Sequence, residues 1–206
     1  MKNRIKIKKI VGVSVLLALV ISLQLLSNYI TIGSISITLA LIPIAIGAIL
    51  YGPLVGMFLG IAMGIMVLVA PSTALFFGVN AIYTIFICLF KSALAGLVAG
   101  VVFKGFINVA KNKEKKMRFY YIGIITSSIL VPIINTLAFV IGAPFGFKEL
   151  FSNYAVVIGA VFTTNFLIEF LVSAILSPSL NHLVRVLTKE TNMGFSEDLD
   201  IFNNIN

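Results

Sequence analysis

Long apolar runs separated by short polar breaks make up most of the chain. A helix crossing a hydrocarbon core about 30 Å thick needs about 17–25 such residues. Ile10–Ile30, Ile35–Tyr51, Pro53–Ala70, Asn80–Phe103, Phe119–Ile141 and Tyr154–Ser177 meet that length. The second is the shortest and carries Pro43 near its middle. The pattern predicts an all-α membrane protein, a six-transmembrane-helix bundle. Past Pro178, Leu180, Leu183, Val184 and Leu187 recur at helical spacing, which predicts a short interfacial helix. The organisation expected is a basic cytoplasmic N-terminus (1–9), a six-helix domain (10–189) and a polar, acidic, disordered cytoplasmic tail (190–206).

Charge tests the number of crossings. Lys2, Arg4, Lys6, Lys8 and Lys9 precede the first run, and Lys104, Lys111, Lys113, Lys115, Lys116 and Arg118 fill the break after the fourth. Loops rich in Lys and Arg stay on the cytoplasmic side. With the N-terminus inside, four crossings return the chain there at Lys104–Arg118, and two more place Arg185 and Lys189 inside as well. Merging the second and third runs would put the basic break outside. Both termini are therefore expected in the cytoplasm. The first run is 21 residues with no Ala-x-Ala pattern after it, so it reads as a retained helix rather than a signal peptide. Three outer connections follow: Thr31–Ser34, Pro71–Val79 and Gly142–Asn153. Phe76, Phe77, Phe145, Phe147 and Phe151 in the last two read first as an interfacial aromatic belt, and alternatively as a lid over an outward pocket.

Composition agrees: 60% hydrophobic, 11% charged, mean hydropathy +1.12. A soluble domain carries about a quarter charged residues. The net charge of +8 sits in the cytoplasmic breaks, which argues for membrane topology and against nucleic-acid binding. Cys88 is the single cysteine and His182 the single histidine, so neither an internal disulfide nor a thiol or histidine metal cluster is available. No GxxxxGK[ST] occurs and no Ser-His pairing suits the bundle, so no catalytic residues, cofactor or metal are expected.

Two ionisable residues, Lys91 and Glu169, lie near the middle of apolar runs. A lysine at mid-depth costs about 2.5–3.5 kcal/mol on insertion scales, so it needs a partner, either a protein carboxylate or a ligand. Ser127, Ser128, Asn135 and Thr136 surround Pro132 in the fifth run; Thr163, Thr164 and Asn165 precede Glu169 in the sixth. Pro132 frees a carbonyl one turn back, at Ser128. Lys91, Asn135, Asn165 and Glu169 on three helices suggest a substrate cavity, with Asn80 at the outer start of the fourth run. A structural Lys91–Glu169 ion pair and a substrate or coupling role both remain open. Gly52, Gly56, Gly60 and Gly64 recur every fourth residue, as do Ser92, Gly96 and Gly100, and Ser14, Ala18 and Ser22. Such spacing lets backbones approach closely, either within the bundle or against a partner's helices.

Ile42-Pro43, followed after eight residues by Gly52-Pro53-Leu54-Val55-Gly56, resembles the IP-x(8)-GPLxG block of the substrate-binding S components of energy-coupling factor (ECF) transporters. Lys91–Gly100 and Asn165–Glu169 are similar to segments of the same family, and the likeness covers most of residues 10–189. The resemblance implies a non-enzymatic subunit of the bacterial plasma membrane that binds a vitamin or related micronutrient near the outer face. It implies as partners a transmembrane scaffold subunit and two cytosolic ATPases, which supply the energy that the missing P-loop cannot. The family's first helix commonly carries Ala-x-x-x-Ala at the scaffold interface; Ser14-x-x-x-Ala18, continued by Ser22, occupies that place here. Within the family's range, Lys91 and the asparagines suit pantothenate, with riboflavin next, stacking on Phe76 or Phe145. The reading from another class is a self-sufficient ion- or proton-coupled carrier using Lys91 and Glu169.

Overall fold

The computed structural model describes residues 2–29, 31–32, 35–36, 38–109, 113–148 and 166–175. Its elements are α1 (Lys2–Tyr29), β1 (Thr31–Ile32), β2 (Ile35–Ser36), α2 (Leu41–Tyr51), α3 (Pro53–Leu68), a 3₁₀ turn (Pro71–Thr73), α4 (Ala74–Val109) and α5 (Lys113–Gly146). Residues 167–175 are helical after a single π position at Phe166. Asn165, Thr163, Thr164, Phe151, His182, the expected interfacial helix and the acidic tail lie outside the described residues.

The second span departs most from expectation. Its first residues form an antiparallel hairpin instead of helix, with Thr31 paired to Ser36 and Ile32 to Ile35. Thr31 and Ile32, expected in an outer connection Thr31–Ser34, thus belong to a strand. Ile35, Ser36, Ile37 and Thr38 alternate apolar with polar, and Gly33-Ser34 suits a two-residue hairpin loop, so a strand signal was present in an apolar run. Only Leu41–Tyr51 remains as helix, 11 residues rising about 16 Å. Among the described residues three helical stretches are long and apolar enough to cross a membrane, Lys6–Asn28, Phe76–Val109 and Arg118–Gly146, while α2 and α3 are shorter. Expected loops are also absorbed into helix. The basic segments at both ends of Lys104–Arg118 belong to α4 and α5, α1 starts at Lys2, α4 takes in Phe76 and Phe77, and α5 runs on to Gly146.

α2 and α3 fold back on each other at Gly52, whose φ of 99° is open to glycine, with Pro53 opening the next helix. A Cβ on Gly56 would stand 2.7 Å from the Cβ of Ala48, and one on Gly47 would strike Leu59, contacts a continuous helix could not make. α3 then runs antiparallel to α4. Gly56 lies against Gly96, Gly60 against Ser92, Gly64 against Cys88 and Gly100 against Pro53. The α3 ladder is therefore spent inside the bundle, which removes it as a surface for partner helices. α2, apolar on every side, is buried from Pro43 to Leu50 and touches α1, α3, α4 and α5.

Gly12 meets Tyr51, Gly100 meets Pro53, and Phe103 packs on Tyr120 at 5.7 Å. These contacts gather one end of the bundle, beyond which Lys2–Lys9, Lys104–Val109 and Lys113–Arg118 extend. At the opposite end lie the hairpin, the 3₁₀ turn and the end of α5. Leu54, Ile65, Val69, Ile82, Phe86, Val101 and Ile141 face outward. An apolar exterior of that extent belongs in lipid.

Candidate functional site

The polar centre is built from α4, α5, the strand leading into α2, and helix 166–175. Lys91 is half-buried, and its Nζ sits 5.1 Å from the ring centroid of Phe139 on α5, a cation–π geometry. Phe139 is one turn beyond Asn135, so both lie on one face of α5. Phe76 packs edge-on to Phe139 at 5.7 Å and to Phe147 at 5.0 Å, and Tyr83 meets Phe147 at 5.4 Å. Tyr83 also donates its hydroxyl to the Gly142 carbonyl at 2.7 Å, tying α4 to the end of α5. The outer phenylalanines therefore divide. Phe147 is fully buried in this cluster, whereas Phe145 is 74% exposed, as a lipid-facing belt residue is.

Glu169 is 3% exposed. Thr38 lies beside its carboxyl group, and Lys91 is the charged neighbour whose field reaches it, but the two charges do not meet in an ion pair. Thr38 is held there by its neighbour: Leu39 donates its N–H to Ser27 Oγ at 3.0 Å, and Ser27 donates to the Leu23 carbonyl at 2.7 Å. One turn below Ser27, the buried Gln24 leaves Oε1 without a partner, as do Ser127 Oγ, Asn135 Oδ1 and Glu169 Oε1, among the described residues.

Asn80 is placed differently from the other candidates. It is exposed, interrupts α4 with φ −154° and ψ 94°, and accepts the Tyr83 N–H on Oδ1 at 3.1 Å. That is an N-cap for the long second part of α4. Sequence reading missed Thr38, Phe139 and Gln24. Gln24, a lone amide in an apolar run, was findable; Thr38 was not, because its position depends on the hairpin. On α1, Ser14, Ala18 and Ser22 are exposed while Leu16, Val20 and Ser27 are buried.

A family model described as ECF transporter, substrate-specific component, matches residues 8–180. Neither the curated proteins nor the solved structures compared with the chain give a match.

Proposed function

Because the chain belongs to the family of ECF transporter substrate-specific components, we propose that it is the vitamin-binding subunit of an importer in the bacterial cell membrane. It captures a vitamin or related micronutrient at the outer face. It releases the cargo inside once a transmembrane scaffold subunit and two cytosolic ATPases engage it. The basic end of the bundle faces the cytoplasm, following the bias of Lys and Arg to that side. The observation that carries the reading is Lys91: a half-buried ammonium midway along an apolar helix, over Phe139 and without a carboxylate in direct contact among the described residues, is suited to an acidic ligand.

Lys91, Asn135, Asn165 and Glu169 bind substrate, with Asn80 at the outer margin. Pantothenate is the first choice, since its carboxylate answers Lys91 and its amide and hydroxyls answer the asparagines. Riboflavin is second; Phe76 is already packed between Phe139 and Phe147, leaving Phe145 as the freer ring. Ser14, Ala18 and Ser22 form the scaffold contact, where small exposed residues let another helix approach.

The test is a panel of radiolabelled vitamins against the purified chain, with co-purification of scaffold and ATPases. Binding of one vitamin, and uptake lost when the ATPases are inactivated, is the expected result. A self-sufficient ion- or proton-coupled carrier is the second reading, favoured by a buried carboxyl that Lys91 does not neutralise in direct contact. Uptake driven by an ion gradient without ATP would put that reading first.

A further inference from the structure

Six consecutive side chains of α1, from Lys6 to Val11, are exposed. A helix packed in a bundle hides one face, so none of the described residues covers this stretch. Ile7, Ile10 and Val11 are 60%, 66% and 56% exposed and share one side of the helix, with Lys6 and Lys9 along one edge and Lys8 along the other. Hydrocarbon rejects the lysines and water rejects the isoleucines, so the segment belongs at the boundary between them. The span that starts at Lys6 has 23 residues, about 34 Å of helix against a hydrocarbon core of about 30 Å. Its first turn therefore lies among the headgroups.

Two more helices bring cations to the same level. Gly12 lies against Tyr51 and Gly100 against Pro53, so Lys8 and Lys104 each stand one turn past one layer of the bundle. Phe103 packs on Tyr120, which puts Arg118 there as well. Lys104 and Arg118 are exposed. Neither Lys2–Val11 nor Lys104–Val109 contains an acidic residue. The apolar exterior thus ends in a band of positive charge.

We propose that this band binds anionic phospholipid of the adjoining leaflet. Headgroup phosphates accept N–H groups from Lys6, Lys8, Lys9, Lys104 and Arg118, the last with a planar fork that matches a phosphate. Ile7, Ile10 and Val11 enter the acyl layer between them. Those three residues favour a lipid surface over an acidic protein segment, which would leave them in water. Each basic residue near an anionic surface contributes about fivefold in affinity, and salt screens that attraction. The partner is a lipid and not the cargo, so the proposal stands apart from the substrate reading.

The test uses the full chain reconstituted in phosphatidylcholine with phosphatidylglycerol as the minor component. Association of spin-labelled forms of the two lipids with the protein surface is compared. Wild type is expected to prefer phosphatidylglycerol about threefold or more at low salt, and to lose most of that preference at about 1 M salt, where the Debye length is about 3 Å. Lys6→Gln/Lys8→Gln/Lys9→Gln/Arg118→Gln is expected to lose most of it at low salt. Lys6→Arg/Lys8→Arg/Lys9→Arg should keep it, as should Lys148→Gln, an exposed cation removed from the opposite end. If the quadruple variant fails to insert, Lys6→Gln/Lys9→Gln and Lys8→Gln/Arg118→Gln replace it, each expected to lose part of the preference.

No preference in wild type, or one that survives salt or every neutralisation, would overturn the proposal. So would its abolition by inorganic phosphate at an ionic strength where chloride has no effect, which marks a free-phosphate site. A preference that appears only in Glu190→Gln/Glu197→Gln/Asp198→Asn/Asp200→Asn would give the band to the chain's own acidic segment, and the lipid assignment would fall.

Discussion

Lys91 sits on α4 between the glycine face turned to α3 and the aromatic face turned to α5. Because its ammonium stacks on Phe139 and does not grip Glu169, removing it strands no paired carboxylate. Lys91→Met is therefore expected to keep its melting temperature within a few degrees of wild type while vitamin affinity falls at least about tenfold. Lys91→Met/Glu169→Leu should remain folded and still fail to bind. If the double variant regained stability lost in the single one and bound the vitamin normally, the two residues would be a structural pair after all. Asn80 should behave in the opposite way. Asn80→Ala removes a helix cap, worth about 0.5–2 kcal/mol, and Asn80→Ser restores most of it. Thermal unfolding of the two variants checks this. At this scale the sequence disclosed the depth of Lys91 and Glu169, since apolar neighbours on both sides mark depth. It could not disclose their company, which is set by how α4 and α5 are rotated and by where the hairpin delivers Thr38.

Helix contacts carry the next level of specificity. α3 and α4 approach backbone to backbone along Gly56, Gly60 and Gly64, where an added Cβ would meet the carbonyls of Gly96, Ser92 and Cys88. Gly60→Leu must push the helices apart and is expected to cost about 1–3 kcal/mol or more, seen as a lower melting temperature and less folded protein. Gly78→Leu and Gly105→Leu, whose Cβ would meet nothing within 4 Å, are the controls and should be tolerated. Equal behaviour of Gly60→Leu and Gly78→Leu would show that the ladder is not a close contact. The four-residue spacing was legible as a close contact, though not which helix fills it, because spacing fixes a face and not its neighbour. The second run was misread for a related reason. An apolar run does not by itself fix the period, and at the start of this one Ile35–Thr38 alternates as a strand does.

Across the molecule, charge and apolar exposure agree. The described basic segments gather at one end, the bundle's outer surface is apolar, and the polar centre lies nearer the other end. α1 is attached through Leu16, Val20, Gln24 and Ser27, leaving Ser14, Ala18 and Ser22 outward. Ala18→Trp should therefore abolish recovery of scaffold and ATPases in a pull-down while vitamin affinity and melting temperature stay unchanged. An intact complex with Ala18→Trp would place the scaffold contact elsewhere. The membrane class was readable from run length, and the gathering of the described basic segments at one end from Lys/Arg placement. The number of full-length crossings was not, because a helix sheathed by its own neighbours has no need to match the bilayer.

That sheathing has a consequence for how the protein is made. α2 is about 16 Å long, so lipid alone cannot accommodate it without a thinned or hydrated patch. α3, its hairpin mate, covers one side; α4 and α5, which cover others, have not yet been synthesised when α2 leaves the ribosome. The nascent chain must therefore keep α2 and α3 waiting beside the insertion machinery, or in a distorted bilayer, until α4 arrives. Chains stopped after Ala70 would be held as unfinished inserts, and quality-control proteases would meet their substrate at that stage.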